Sequence, residues 1–106
     1  MDLLAQVLNL MEPLARPDLY VVIRILDKLR SNERDLNRTQ LQIASGMNYT
    51  QFERYLDLVV RRGLAELVAA KEGPPVVRLT RKGYDALMFL ARGLRDVVGT
   101  ELSSIP

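Results

Sequence analysis

The chain has 106 residues, 48% of them apolar, which is the size of a single domain with enough material for a core. It contains no cysteine and no histidine, which excludes thiol chemistry, disulfides, nearly all transition-metal sites and the usual histidine-based catalytic triads. Net charge is only +2, yet residues 54–95 carry nine cations against four acids, whereas residues 1–53 carry six against seven.

Residues 1–16 read as a helix and a connector. "DLLAQVLNLME" follows a plausible N-cap, Asp2, and repeats Leu3, Leu4, Val7, Leu8 and Met11 at helical spacing, with Leu10 off that face. Pro13 and Pro17 bracket the connector, and Pro17 suits the first position of the next helix, where its missing N–H costs nothing. That helix, "PDLYVVIRILDKLR", places Leu19, Val22, Ile23, Leu26 and Leu29 on one face. Val21 and Ile25 add a second stripe, so it is expected between neighbours. "SNERDL" breaks it.

"NRTQLQIASG" predicts a two-turn helix, with Asn37 and Gln40 spaced as a capping box and Gly46 able to end it in the left-handed conformation. "GMN" is the turn. In "TQFERYLDLVVRRGL", Phe52, Leu56 and Val59 fall at i, i+4 and i+7 on one helical face, while Gln51, Arg54 and Tyr55 point away from it. Thr50 with Glu53 has the form of a second capping box, and Asn48 is an equal candidate for the N-cap. Gly63 ends this helix.

"LAELVAA", the turn "KEGPP" and the β-branched "VVRL" predict a two-stranded hairpin. Thr80 then caps a long helix ending near Gly99, in which Tyr84, Leu87, Ala91, Leu94 and Val98 follow the 3-4 spacing of a helix-pairing seam. Leu90 and Val97 widen that stripe, and Met88 and Phe89 lie to its sides. Residues 100–106 are expected to fray. The fold class is therefore mainly α with a small β-hairpin. No apolar run is long enough to span a bilayer, and no basic stretch with a cleavage site opens the chain. A soluble intracellular protein is expected.

A short helix and a longer one joined by a tight turn, followed directly by a hairpin, match a helix-turn-helix with a wing. The stretches "QLQIASGMNYTQFERYLDLVVRRGLAEL" and "VVRLTRKGYDAL" resemble the winged-helix superfamily. Within it the chain is similar to small archaeal DNA-binding proteins, regulators or chromatin-associated, whose last helix pairs in a coiled coil. The likeness covers roughly residues 18–98, with the helix-turn-helix core and wing at 17–80 and the pairing helix at 81–99. The extra N-terminal helix and the long final helix are additions to the basic pattern.

The resemblance implies that the helix at 50–62 enters a major groove of double-stranded DNA. Thr50, Gln51 and Arg54 are then the candidates to read bases, since Gln suits adenine and Arg suits guanine. Asn48, Tyr49, Tyr55, Lys71, Arg78 and Arg81 are candidates for the backbone, with Lys71 and Arg78 on the wing. Arg81 and Lys82 lie where the helix macrodipole disfavours cations; Lys82 is read as a packing residue. Asp57 stands one turn beyond Arg54, close enough to repel a phosphate, and the net charge is modest. Both favour a site-specific regulator over an abundant coat protein, in a cytoplasmic, nucleoid-associated setting. A homodimer is expected through Leu3, Val7, Leu87, Leu90, Ala91, Leu94 and Val98, because so much apolar helix surface needs a cover. The competing reading is a winged-helix adaptor that binds another protein. No enzyme is expected, since no hydroxyl has a histidine beside it and no glycine pattern suggests a nucleotide loop. No cofactor and no metal is implied, and no effector can be read.

Overall fold

The computed structural model describes residues 2–10 and 18–99. The connector with Met11, Pro13 and Pro17, and the tail from residue 100, lie outside the described residues, as do the side chains of Val7, Leu8, Leu10 and Val98. Helix α1 spans Leu3–Leu10, and the Asp2 carboxylate accepts from the Leu4 N–H at 3.3 Å. Helix α2 spans Leu19–Ser31. Its N-cap is Asp18, whose carboxylate accepts from the Tyr20 N–H, so the helix starts two residues later than the proline at 17 suggested.

Strand β1 is only Leu36–Asn37. Helix α3, Arg38–Ser45, follows at once and carries the expected reciprocal capping box between Asn37 and Gln40. Gly46 closes it at φ 67, a conformation that costs an L side chain 1–2 kcal/mol or so. Helix α4 spans Tyr49–Arg61. Asn48 is its N-cap, accepting from the Gln51 N–H at 2.8 Å, so the alternative box between Thr50 and Glu53 does not form. Gly63, at φ 74, ends α4 in a Schellman motif: its N–H bonds the Val60 carbonyl and the Leu64 N–H bonds that of Val59.

Strands β2, Ala65–Val68, and β3, Val76–Leu79, form the hairpin, with Leu67 opposite Val77. The connecting loop is seven residues, 69–75, because Ala69 and Ala70 leave the ladder. The sheet has three antiparallel strands, ordered β1-β3-β2, where two were expected. Leu36 pairs with Val77, so β1 covers the free edge of β3. Helix α5, Arg81–Val98, completes the chain and is capped at Gly99.

Helix α2 lies at the centre and packs on α3, α4, α5 and β3. Its buried residues are Val21, Val22, Ile25 and Leu26, drawn from both predicted stripes. They meet Leu41, Met47, Phe52, Leu56, Val59, Ala65, Val77 and Leu87 in one core. The α4 face of Phe52, Leu56 and Val59 is at most 1% exposed, and burying each such side chain is worth roughly 1.5–3 kcal/mol. This is a winged helix-turn-helix with an added first helix and a long last one.

Candidate nucleic-acid interface

Three polar ties fix the wing and α5 to the end of α4. The Thr80 hydroxyl donates to the Gly63 carbonyl at 2.6 Å and accepts from the Gly83 N–H. The Thr80 N–H bonds the Leu64 carbonyl. The Lys82 ammonium reaches the Arg62 carbonyl at 2.8 Å, where the negative end of the α4 dipole favours a cation. Lys82 is thus structural, as read from the sequence. Gly83 has no room for a side chain, since a Cβ there would lie 1.9 Å from the Leu64 carbonyl oxygen.

The helix-turn-helix turn is held from behind. Gln42 donates through its side chain to the Met47 carbonyl, and Arg24 on α2 donates to the Ser45 carbonyl at 3.0 Å while stacking over the Tyr20 ring. This anchoring presents α4 with Tyr49, Thr50, Gln51, Arg54, Asp57 and Arg61 exposed along its outer side. The acids of that helix are occupied: Glu53 pairs with Arg38 at 3.0 Å, and Asp57 pairs with Arg61 at 2.7 Å. Asp57 is thereby partly neutralised, which weakens the repulsion expected of it. Gln51 and Arg54 have no side-chain hydrogen bond or ion pair among the described residues.

The backbone candidates are more varied. Asn48 commits its side-chain oxygen to the α4 cap, and only its amide N–H groups remain to donate. Tyr49 is exposed beside it. Tyr55 is half-buried, and its hydroxyl oxygen accepts from the Asp18 N–H at 2.8 Å, tying α4 to the start of α2. Its first role is therefore in the fold. Lys71 is exposed in the wing loop. Arg78 makes a forked pair with Asp35 across the β1 side of the sheet, at 2.8 Å for the shortest contact. That hydrogen-bonded guanidinium holds the Asp35 carboxyl below its ordinary range, and the carboxylate in turn raises Arg78. Arg81 pairs with Asp85 one turn on, so its own helix supplies the anion that offsets the dipole.

Among the residues expected between two copies, Leu87 requires correction. It is 2% exposed and belongs to the core, because α5 packs on α2 through it. Leu90 and Ala91 are half-covered, while Leu94 is 45% exposed and Leu3 is open. The positions of Val7 and Val98 lie outside the described side chains. The most exposed apolar residues of α5 among the described ones are Phe89 and Val97.

A second cationic feature escaped the sequence reading. Arg24, Lys28, Arg92 and Arg95 line an open groove of about 840 Å³ between α2 and α5. Ser45 also lines it, 2% exposed, and its hydroxyl has no hydrogen-bond partner among the described residues. The i, i+4 spacing of Arg24 and Lys28 was the available signal, but nothing in the sequence placed α5 beside it.

No family model and no curated protein matches the chain. Solved structures do. A MarR family transcriptional regulator from Silicibacter pomeroyi matches with a TM-score of 0.67 at 24% identity, over 81% of this chain and 58% of that one. The transcriptional regulator BldR from Sulfolobus solfataricus gives 0.67 at 18% identity, over 99% of this chain and 88% of that one. Sso10a-2, a DNA-binding protein from the same organism, gives 0.54 at 19% identity, over 78% and 90%. The chain thus spans less than two thirds of the Silicibacter regulator's length. At these identities the likeness establishes the shared winged-helix fold.

Proposed function

We propose that the protein binds double-stranded DNA as a homodimer and acts as a site-specific transcriptional regulator. Helix α4 lies in the major groove, with Gln51 and Arg54 reading base edges and Thr50 beside them, and the 69–75 loop lies along the flanking backbone. The observation that carries this reading is the state of the α4 outer face. Its acids are paired within the domain, whereas Gln51 and Arg54 are exposed without partners among the described residues. The positive end of the helix dipole lies at Tyr49 and Thr50, where a phosphate is favoured. Structural neighbours that are transcriptional regulators support the same direction. Exposed Leu3, Leu4 and Leu94, together with Phe89 and Val97, supply the apolar surface for a second copy.

Selection of bound duplexes from a random pool tests this. Recovery of a motif, with inverted half-sites about one helical turn apart, is the expected result. One observation favours the adaptor reading instead: Ile43 on α3 and Tyr49 are large, apolar and mostly exposed on neighbouring elements. An adaptor would pass through heparin unretained and yield no motif, whereas the DNA-binding reading requires retention and elution by salt.

A further inference from the structure

The groove between α2 and α5 carries a charge pattern that the domain itself does not satisfy. One wall has Arg24 and Lys28 a turn apart on α2, and the other has Arg92 and Arg95 a turn apart on α5. Like charges at that spacing repel and weaken a helix. The one acid of the lining, Asp27, is taken by Arg30 at 2.9 Å. Lys28, Arg92 and Arg95 have no ion pair among the described residues. Arg24 is held in place by the Tyr20 ring and the Ser45 carbonyl, which leaves most of its N–H groups to donate elsewhere.

The floor of the groove is apolar. Ile23, Met88 and Ala91 are partly covered there, beside the buried Leu87. The lining takes in residues 20–30 of α2 and 87–95 of α5, so it runs about 12–15 Å along each helix, or two to three turns. A small anion is held in a pocket that encloses most of its surface, whereas this groove is open. A nucleic-acid backbone would use the cations but not the floor, and no residue of α4 lines the groove. A second copy has no matching segment among the described residues. Helix α1 has no acid, the α4 acids Glu53 and Asp57 are paired, and on α5 Asp85 is paired, leaving Asp96 alone.

We propose that this groove docks an acidic amphipathic helix of another protein. The apolar stripe of that helix lies on Ile23, Met88 and Ala91, and its flanking carboxylates meet Arg24 and Lys28 on one side and Arg92 and Arg95 on the other. Cations on both walls favour a helix with acids on both flanks of its stripe and reject a basic one. The outer face of α4 stays free, so the partner and a duplex can be held at the same time. The inference is independent of the base-reading assignment, since the two surfaces share no residue.

The probe is a labelled synthetic peptide of about ten residues, with leucines at helical spacing and glutamates on both flanks, titrated by anisotropy against the full chain. Its controls are a scrambled peptide of the same composition and free succinate. The amphipathic peptide should bind with a micromolar dissociation constant, and both controls at least about fivefold more weakly. Arg92→Gln with Arg95→Gln changes two exposed side chains, so circular dichroism should show an intact fold. That variant should bind the peptide at least about fivefold more weakly and bind duplex DNA as the wild type does. No peptide binding at about 100 µM, equal affinity for either control, or an unchanged affinity in the variant would overturn the proposal. A variant that loses duplex affinity in place of peptide affinity would make the groove a DNA-backbone site and overturn it as well.

Discussion

Replacing Gly83 by alanine would test how the wing and α5 are locked to the end of α4. Propensity alone favours the change, by up to about 1 kcal/mol in a helix. Geometry opposes it. The new methyl would lie 1.9 Å from the Leu64 carbonyl oxygen and 2.8 Å from Leu79 Cδ1, so the start of α5 must retreat by more than about 1 Å. The same turn holds the Thr80 hydroxyl on the Gly63 carbonyl at 2.6 Å, the Thr80 N–H on the Leu64 carbonyl at 3.2 Å and Lys82 on the Arg62 carbonyl at 2.8 Å. Each is worth about 0.5–1.5 kcal/mol net, and overpacking costs roughly 1–3 kcal/mol. Losing two of the three ties and repacking the turn outweighs the propensity gain by about 1–5 kcal/mol. Urea unfolding followed by circular dichroism should then show a clearly lower midpoint with an unchanged slope. A midpoint equal to or above that of the wild type would refute the argument that this backbone contact is rigid.

Ser45→Ala is expected to be neutral or stabilising by up to about 1–3 kcal/mol, because it removes a buried hydroxyl that has no partner; calorimetry reads it, and a marked loss would reveal a partner for that oxygen. The Asp35–Arg78 pair gives a pH dependence. Its carboxyl titrates lower in the folded chain than in the unfolded one, so the unfolded chain takes up that proton first. The stabilisation is complete above the unfolded value, about pH 4, and is lost as pH falls through the lowered one. Comparing unfolding midpoints of wild type and Asp35→Asn across that range checks it, and salt should shrink the difference because both side chains are half-exposed. On DNA, Asp35→Asn releases Arg78 and should steepen the salt dependence of affinity by about one unit, while Lys71→Ala should flatten it by a similar amount. Unchanged slopes in both variants would mean that the wing points away from the duplex.

Elements whose signals are local were readable in the sequence. The Asn37–Gln40 box, Gly46, Gly63 and Thr80 act within four residues of themselves, and the Phe52–Leu56–Val59 face repeats at the helical period. Features that depend on distant partners were not. Strand β1 is two residues long and exists only because β3 offers it an edge. Asp35 and Arg78 are 43 positions apart, so neither announces the other. The stripe on α5 shows how a correct pattern leaves its partner open. Apolar spacing says that Leu87 is covered, but a helix of the same domain satisfies it as well as a second copy does, and α2 is what covers it. The α4 cap turned on two residues: Asn48 reaches the Gln51 N–H, and Glu53 is drawn to Arg38 instead of back to the cap.

The central claim is that the outer face of α4 reads base edges. Its most direct measurement is a binding titration of wild type, Gln51→Ala and Arg54→Ala against a selected duplex and a random duplex at one fixed salt concentration. Each substitution should cut the preference for the selected duplex by roughly 5- to 150-fold, the equivalent of about 1–3 kcal/mol per bidentate contact, and leave random-duplex affinity nearly unchanged. Equal losses on the two duplexes, or no loss on either, would contradict it.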